Sequence, residues 1–509
     1  MITILSKPFH FVQSYVDGVS MYRMVSGTLG VLAGISIFFG FAGLIPYSGL
    51  SQIFSLALAV LVALIVNSLF SLLFKVSVNQ ESAVITALIL FFLALPEENI
   101  LDTWPLVAAV FIATASKYIL AYKKQHFLNP AAFGAAALSL TGIYSFSWWI
   151  ANPVMFVPLL ICGVLVVMKV RKWTSVLGLI SVSFAIYLAE SVSYGVGESE
   201  AIRTFLTSWP TLFLAFYMLT EPFTMPAQKG PQFLYGGLVG FLSNTSMFVG
   251  LVSFSPELAL VVANAAMLPA RLRQKLMLSL QEKRLIAKDT YEFVFKKPHG
   301  FSFKAGQYLE WMLPHKKSDH KGVRRYFTIA SSPTEDSVRV AMKILDRAST
   351  YKQSIRNIDL AHPLVASQLA GDFLLPSNQE VKLGYIAGGI GVTPFRSHIK
   401  WMIDTDKTHD TALYYCVNTV NELAYGELWQ EATSRFMFSC VPVVAKEEVT
   451  VPFERGYVTT ELLKRRTPDY LERIWYISGP PGMVNAYVKL LKEIGVKGSK
   501  IKTDFFPGA

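Results

Sequence analysis

A chain of 509 residues that is 52% hydrophobic and only 16% charged is too apolar for an ordinary soluble protein and long enough for two or more domains. Its net charge of +11 does not point to nucleic acid, because Lys and Arg fall largely in short loops between apolar runs, the pattern of membrane orientation. Three widely separated cysteines, Cys162, Cys416 and Cys440, leave no four-thiolate iron–sulfur set, no structural zinc and no disulfide framework, so no metal site is expected.

Residues 1–23 are mixed and partly polar, without the short apolar core and cleavage site of a signal peptide, and are expected to stay as a cytosolic N-terminal segment. From Met24 to Pro269 long uncharged runs follow one another. Crossing the hydrocarbon core takes about 20 apolar residues, fewer where a segment is re-entrant. Ten segments are predicted: 24–46, 50–73, 82–96, 104–121, 131–149, 154–168, 174–191, 205–220, 232–252 and 257–270. With the N-terminus inside, the inner loops hold Lys75, Lys117, Lys123, Lys124, Lys169, Arg171, Lys172, Lys229, Arg271, Arg273 and Lys275. The outer loops hold Glu97, Glu98, Asp102, Glu190, Glu198 and Glu200, with Arg203 against the trend. The expectation is a multi-pass α-helical domain over 24–270, embedded in the lipid of a cell (inner) membrane with both termini cytoplasmic.

The third and eighth segments, SAVITALILFFLALPEE and WPTLFLAFYMLTEPF, are short and broken by Pro96 and Pro222 beside carboxylates. Ordinary helix ends with proline stops would explain them. Their equivalent positions in a five-plus-five division also predict inverted repeats around a midplane site. NQESAVITALILFFLALPEE, SKYILAYKKQHFLNPAAFG and FYMLTEPFTMPAQKGPQFLYGGLVG resemble the membrane subunit family shared by the sodium-translocating NADH:quinone reductase (its B subunit) and the Rnf complex (its D subunit). The likeness rests on Asn129–Pro130, Lys117 and Thr220-Glu221-Pro222, where the family usually has Asp for Glu221. It implies an electron-carrier site including Asn129, Thr220 and Glu221. The family's covalent-flavin threonine motif is missing from LTGIYSFSWWIANP, and Ser26-Gly27-Thr28 is only an echo elsewhere. A membrane flavin, FMN or riboflavin, would therefore be held non-covalently. His10 and His126 lie outside the segments and the other six His follow them, which leaves no histidine pair for a transmembrane haem.

From Leu276 to about residue 378, short runs such as TYEFVF, QYLEWML, RYFTIAS and SVRVAMKIL between turn residues predict an antiparallel β-barrel over 271–378. Over 379–509, KLGYIAG, TALYYCV and RIWYISG alternate with helical stretches, predicting an α/β doubly wound parallel sheet. A guanidinium fork suits a pyrophosphate, and glycines after a strand allow close approach of a dinucleotide. Arg325-Tyr326-Phe327-Thr328 and Gly388-Gly389-Ile390-Gly391-Val392-Thr393-Pro394 resemble the ferredoxin–NADP reductase superfamily. The resemblance implies that Arg325 binds the FAD pyrophosphate, Phe327 packs on the flavin, Tyr326 stands near a lost tyrosine contact, and Thr328 bonds near the reactive N5. Lys343 belongs to a strand along the flavin edge, and Ser349 and Thr350 match a pyrophosphate-capping helix start that a plain N-cap explains equally. Gly388, Gly389, Gly391, Thr393 and Pro394 match the NAD(P)H turn. Ser478-Gly479-Pro480 matches the nicotinamide-side element, with Ser478 for the common Cys. Phe505 or Phe506 matches a terminal aromatic over the flavin, and core packing is the equal alternative. The stretch after the second strand, YYCVNTVNELAYGE, has two acids and no Arg, which favours NADH over NADPH.

The residues thus predict an enzyme, a membrane flavin oxidoreductase that takes hydride from NADH onto FAD at Thr328, Ser478 and Phe506. Electrons would then pass through the membrane domain to a quinone or an extracytosolic flavoprotein. Two further readings use the same residues: a redox-driven ion pump or transporter, and a membrane-anchored flavin or ferric reductase.

Overall fold

The computed structural model describes all residues except 1–15, 17–18, 76–79, 100, 123–124, 227–228, 245–247, 250–251, 269–275, 316–322, 347, 360–363 and 505–509. The chain forms two compact units, Met1–Leu272 and Arg273–Ala509, and the expected boundary at 270/271 falls outside the described residues.

In the first unit, apolar sequence with few polar side chains leaves the backbone to satisfy its own hydrogen bonds, which favours helices. They are α1 (Met21–Phe41), α2 (Gly49–Leu73), α3 (Gln80–Leu93), α4 (Trp104–Ile119), α5 (Pro130–Ser139), α6 (Phe156–Val170), α7 (Trp173–Ser193), α8 (Glu198–Thr207), α9 (Lys229–Asn244) and α10 (Pro256–Ala266). Serines set several starts: Ser20 accepts from Arg23 N at 3.3 Å and Ser48 from Ser51 N at 3.0 Å. By length and composition α1, α2 and α7 are apolar and long enough to cross a membrane; the other apolar helices are shorter.

The expected single helices over 131–149 and 205–220 are corrected. α5 stops at Ser139, followed by Gly142 at φ +71°. Pro210 breaks the chain after α8, and a short turn, Thr211–Phe213, runs into a five-residue π-helix, Leu214–Met218. The segment after α5 folds back on the end of α3. Ser147 N and Trp148 N donate to Leu93 O at 3.0 and 3.1 Å, and the Trp149 indole donates to Phe91 O at 2.7 Å. These bonds satisfy carbonyls that the end of α3 leaves open. α7 and α9 touch backbone to backbone: a Cβ on Gly236 would stand 2.0 Å from Ser175 O.

The second unit begins with antiparallel strands β1 (Leu276–Leu278), β2 (Leu280–Ala287), β3 (Thr290–Lys296), β4 (Tyr308–Met312), β5 (Arg324–Thr328), β6 (Ser337–Lys343) and β7 (Leu364–Ala370). They form two sheets, β6-β3-β2 and β1-β7-β4-β5, around a core that includes Phe293, Phe295, Trp311, Val340 and Tyr351. Alternating burial in β6, with Val338 and Val340 inside, is the period-two pattern legible in SVRVAMK. The remainder is a parallel sheet of order β11-β10-β9-β8-β12-β13. Its strands are β8 (Leu383–Gly388), β9 (Thr411–Val417), β10 (Phe438–Val444), β11 (Glu454–Arg455), β12 (Ile474–Ser478) and β13 (Ile501–Asp504). β8 and most of β9 are buried along their length, as expected for parallel strands covered on both faces. The helices are α11 (Thr350–Arg356), α12 (Thr393–Thr405), α13 (Gly426–Arg435), α14 (Thr460–Arg466) and α15 (Pro481–Glu493).

His398 of α12 is fully buried. Its Nε2 bonds Phe373 O at 2.9 Å and its Nδ1 the Tyr385 hydroxyl at 3.2 Å. Burial holds its pKa down to about 3, from an ordinary 6.5. The unfolded chain therefore binds the extra proton below pH 6.5, and this contribution to stability is lost as pH falls from there toward 3. Denaturant unfolding at stepped pH should give a slope of up to about 1.4 kcal/mol per pH unit below neutrality. His398→Gln, which keeps a donor for Phe373, should flatten it.

Candidate functional site

β8 and β12 are neighbours, with Ala387 opposite Ser478. Chain order runs from β8 outward to β11 on one side and restarts at β12 on the other. In open α/β sheets a reversal of this kind opens a crevice outside the carboxyl ends of the strands. Two turns face each other there. After β8, Gly389 takes φ +53° and the 3-10 turn Gly389–Val392 enters α12. Thr393 donates to Ile390 O at 3.2 Å, and Pro394 sits in the first helical turn. After β12, Gly479 at φ +159° and Pro480 lead into α15. A Cβ on Gly391 would meet Ser478 O at 2.4 Å, and one on Gly388 would meet Met483 Sδ at 2.4 Å. Glycine is what lets the two turns pack so closely, with two helix N-termini at the crevice.

The expected flavin residues lie on β5 and its surroundings. The Arg325 guanidinium lies over the Tyr351 ring, 5.2 Å from its centroid, and donates to Arg324 O at 2.8 Å. Phe327 is 6.0 Å from the same ring. Tyr326 is exposed, and its hydroxyl bonds Gln368 at 3.2 Å. Thr328 is buried. Its hydroxyl and that of Ser478 are both buried side-chain groups without a hydrogen-bond partner, an arrangement that costs free energy unless something else bonds them. Ser349 caps α11, accepting from Lys352 N at 3.4 Å. The Thr350 hydroxyl pairs with His315 Nε2 at 3.0 Å. Lys343 forms an ion pair with Glu422 at 3.0 Å, so one of the two acids after β9 is engaged by the barrel strand β6. Phe505 and Phe506 lie outside the described residues.

The first turn of α12 ties the two motifs together. Arg396 donates to Ala330 O at 3.1 Å and Ser397 to Ser331 O at 2.6 Å. These carbonyls follow Thr328 by two and three residues. Arg396 also bonds both oxygens of Glu335, Oε1 at 3.0 Å, and Glu335 accepts from Ser332 N at 2.6 Å. Ala330 and Ser331 continue the flavin-like motif, whereas Ser332, Glu335, Arg396 and Ser397 belonged to no expected motif. Thr419, two residues after β9, has a buried, unpartnered hydroxyl and was not singled out within its stretch.

In the first unit the three expected residues come together. Asn129 caps α5 by accepting from Ala132 N at 3.0 Å, and its amide donates to Met218 O at 3.0 Å, at the end of the π-helix. Thr220 donates to Phe216 O at 2.7 Å. Glu221 pairs with His126 at 2.9 Å. Asn264 of α10 completes the cluster: its oxygen accepts from Asn129 N at 2.7 Å and its amide donates to the Tyr235 hydroxyl at 2.6 Å. Lys117 donates to Ser82 O and Oγ at 2.8 and 3.0 Å. His126 and Asn264 were not anticipated as site residues; a histidine three residues before Asn-Pro-Ala carries no local signal.

The family model described as "Oxidoreductase NAD-binding domain" matches residues 385–489. The C-terminal unit carries an oxidoreductase NAD-binding domain. Among similar curated proteins, the glycine betaine monooxygenase reductase subunit of Chromohalobacter salexigens is 28% identical over 222 residues, 43% of this chain and 60% of that protein. The NADH oxidoreductase HCR of Escherichia coli is 26% identical over 38% of this chain and 58% of its own length. This chain thus spans about 60% of the relatives it matches. Similar solved structures include the FAD/NAD-binding domain of a nitric oxide dioxygenase from Vibrio cholerae, 18% identical over 45% of this chain and 98% of that one, with a TM-score of 0.41. An Amycolatopsis cytochrome P450 reductase is 22% identical over 46% of this chain and 70% of its own, also with a TM-score of 0.41.

Arg396 is nine-tenths buried, and its removal strands part of Glu335 and the Ala330 carbonyl. Arg396→Ala should lower the unfolding free energy of the NAD-binding domain by roughly 1–3 kcal/mol, read from tryptophan-monitored urea titration of the whole protein.

Proposed function

We propose that the chain is a membrane-bound oxidoreductase in which NADH reduces FAD in the C-terminal unit and electrons then enter the N-terminal unit. The carrying observation is the meeting of Gly388–Gly391 and Ser478–Gly479–Pro480 across β8 and β12. The Ser478 hydroxyl of the second turn and the Thr328 hydroxyl of the flavin-like motif are both buried and unpartnered. FAD, when bound, supplies the conversion of a two-electron hydride into single electrons. Arg325 would hold the pyrophosphate through its guanidinium fork, and Thr328 would donate a hydrogen bond at the flavin edge. Gly389 and Gly391 would admit the NADH phosphates to the N-terminus of α12. The Ser478 hydroxyl would orient the nicotinamide. Phe506 or Phe505 would cover the flavin when nicotinamide is absent. NADH is preferred to NADPH because the stretch after β9 holds Glu422 and Glu427 and no Arg.

The N-terminal unit is proposed as the membrane electron-transfer domain of the family it resembles, with ten segments in five-plus-five repeats and the C-terminal unit on the Lys-rich, cytoplasmic side. Its carrier would be a non-covalent FMN, riboflavin or quinone near Asn129, Thr220 and Glu221, and the acceptor a quinone or an extracytosolic flavoprotein. The close joining of two interrupted helices at Asn129 and Met218 supports this reading over a plain anchor, which would require only one span.

Detergent-purified protein should release FAD on acid extraction, together with a second flavin or a quinone, and Arg325→Ala should lose the FAD. Full FAD retention in that variant contradicts the flavin assignment. Gly391→Val should keep FAD yet slow NADH oxidation about five- to 150-fold, since closing the turn costs roughly 1–3 kcal/mol; stopped-flow flavin bleaching reads the rate.

A further inference from the structure

Tyr425, the residue before α13, has φ +62° and ψ +31°. A bulky side chain is rare in this left-handed region and stays there only where its surroundings hold it. The Tyr425 hydroxyl donates to Glu292 Oε1 at 2.9 Å. The Arg396 guanidinium lies over its ring, 5.8 Å from the centroid, and Trp429 meets the ring edge-on at 6.3 Å.

Followed outward from Tyr425, these contacts close into a circuit. Glu292, on β3, accepts the phenol on Oε1 and Arg339 Nη1 on Oε2, the latter at 3.2 Å. Arg339, on β6, reaches Glu335 Oε1 with its Nε at 3.2 Å. Glu335 receives Arg396 on both oxygens, and Arg396 returns to the Tyr425 ring. Two carboxylates and two guanidinium groups neutralise one another, and Glu292 and Arg396 are only 2% and 7% exposed. Burial, and then the Glu292 carboxylate, push the Tyr425 phenol well above its ordinary 10, so it stays protonated and keeps donating.

An apolar set of the same volume would often be at least as stable as buried ion pairs. What a closed polar circuit adds is a fixed relation between the parts it joins. Arg396 follows Pro394 of the glycine turn by two residues, and Tyr425 begins the helix after β9. On the barrel side, Arg339 N donates to Ser331 Oγ at 3.0 Å and Arg339 O accepts from Ala330 N at 2.8 Å. β6 is thereby in register with the residues just after Thr328. The stretch before Tyr425 is fastened to the same barrel: Lys288 N donates to Asn421 O at 2.8 Å, and Lys343 pairs with Glu422 at 3.0 Å.

We propose that Tyr425 is a positioning residue for NADH oxidation: through Glu292, Arg339, Glu335 and Arg396 it holds the starts of α12 and α13 in register with the flavin-like strand. The inference rests on the reading of the second unit as an NADH–flavin reductase. No bond to Tyr425 forms or breaks; the hydride, with its electron pair, passes from NADH to FAD and leaves NAD⁺ and reduced flavin.

The test compares the whole FAD-loaded protein in detergent as wild type, Tyr425→Phe, Arg339→Lys and the double variant. Tyr425→Phe keeps the ring and removes only the hydroxyl. Arg339→Lys keeps the charge but loses the fork that spans Glu292 and Glu335. In stopped flow, each single variant should lower the limiting rate of flavin reduction about tenfold and leave the half-saturating NADH concentration within about twofold. The double variant should be no slower than the slower single one, because both break one circuit. Hydrogen–deuterium exchange measured without NADH should rise over residues 420–426 and 393–397 in all three. Should one single variant fail to fold, the other carries the same expectations. Unchanged limiting rates overturn the proposal, as do losses that multiply in the double variant. A raised half-saturating concentration at an unchanged limiting rate also overturns it and would make Tyr425 a nucleotide-binding residue. A wild type that holds FAD yet fails to oxidise NADH would count against the reductase reading itself; the exchange arm then stands alone, and unchanged exchange in the variants overturns the circuit.

Discussion

The parallel pairing of β8 with β12 is the constraint on which the C-terminal unit depends. Two strands distant in sequence end side by side, and each hands over to a helix through a glycine turn that a larger residue would force apart. Once that seam is closed, Arg396 and Ser397 at the start of α12 reach back to the carbonyls that follow Thr328. Hydride transfer demands that donor and acceptor be held within contact distance. Under the proposed function, the joint between β5 and the crevice beside β8 and β12 would be the protein's contribution to that demand.

The N-terminal unit meets a different constraint. A helix interrupted within an apolar core must find partners for the backbone groups it releases. The tryptophan pair after α5 supplies donors to the end of α3, Asn129 supplies one to the end of the π-helix, and Glu257 receives the Trp148 indole. The interruptions are therefore built features, with buried polar side chains at each one. π-helical turns are frequent at functional positions, and Leu214–Met218 leads directly into Thr220-Glu221-Pro222.

What was legible in the sequence follows from the range of the interactions. The strands within RYFTIAS, KLGYIAG and RIWYISG are apolar runs with turn residues after them, and each forms where expected. Asn129 before Pro130 and Ser349 before Thr350 carry local capping signals, and both cap helices. The long-range partners were not legible. Arg396 and Glu335 lie 61 residues apart, His126 and Glu221 95, and Ser139 and Glu257 118, distances over which one sequence carries no pairing signal. The fifth segment was misread because apolar composition runs on through LTGIYSFSWWI, while the turn at Gly142 and the bonds to α3 decide the path.

The central claim is that electrons from NADH cross the N-terminal unit and do not stop at the C-terminal one. Its most direct measurement uses sealed vesicles with the C-terminal unit outward and ferricyanide trapped inside. Added NADH should reduce the trapped ferricyanide, and this reduction should cease in Arg325→Ala. Reduction of external ferricyanide alone, with the lumen left oxidised, would contradict the account and reduce the N-terminal unit to an anchor.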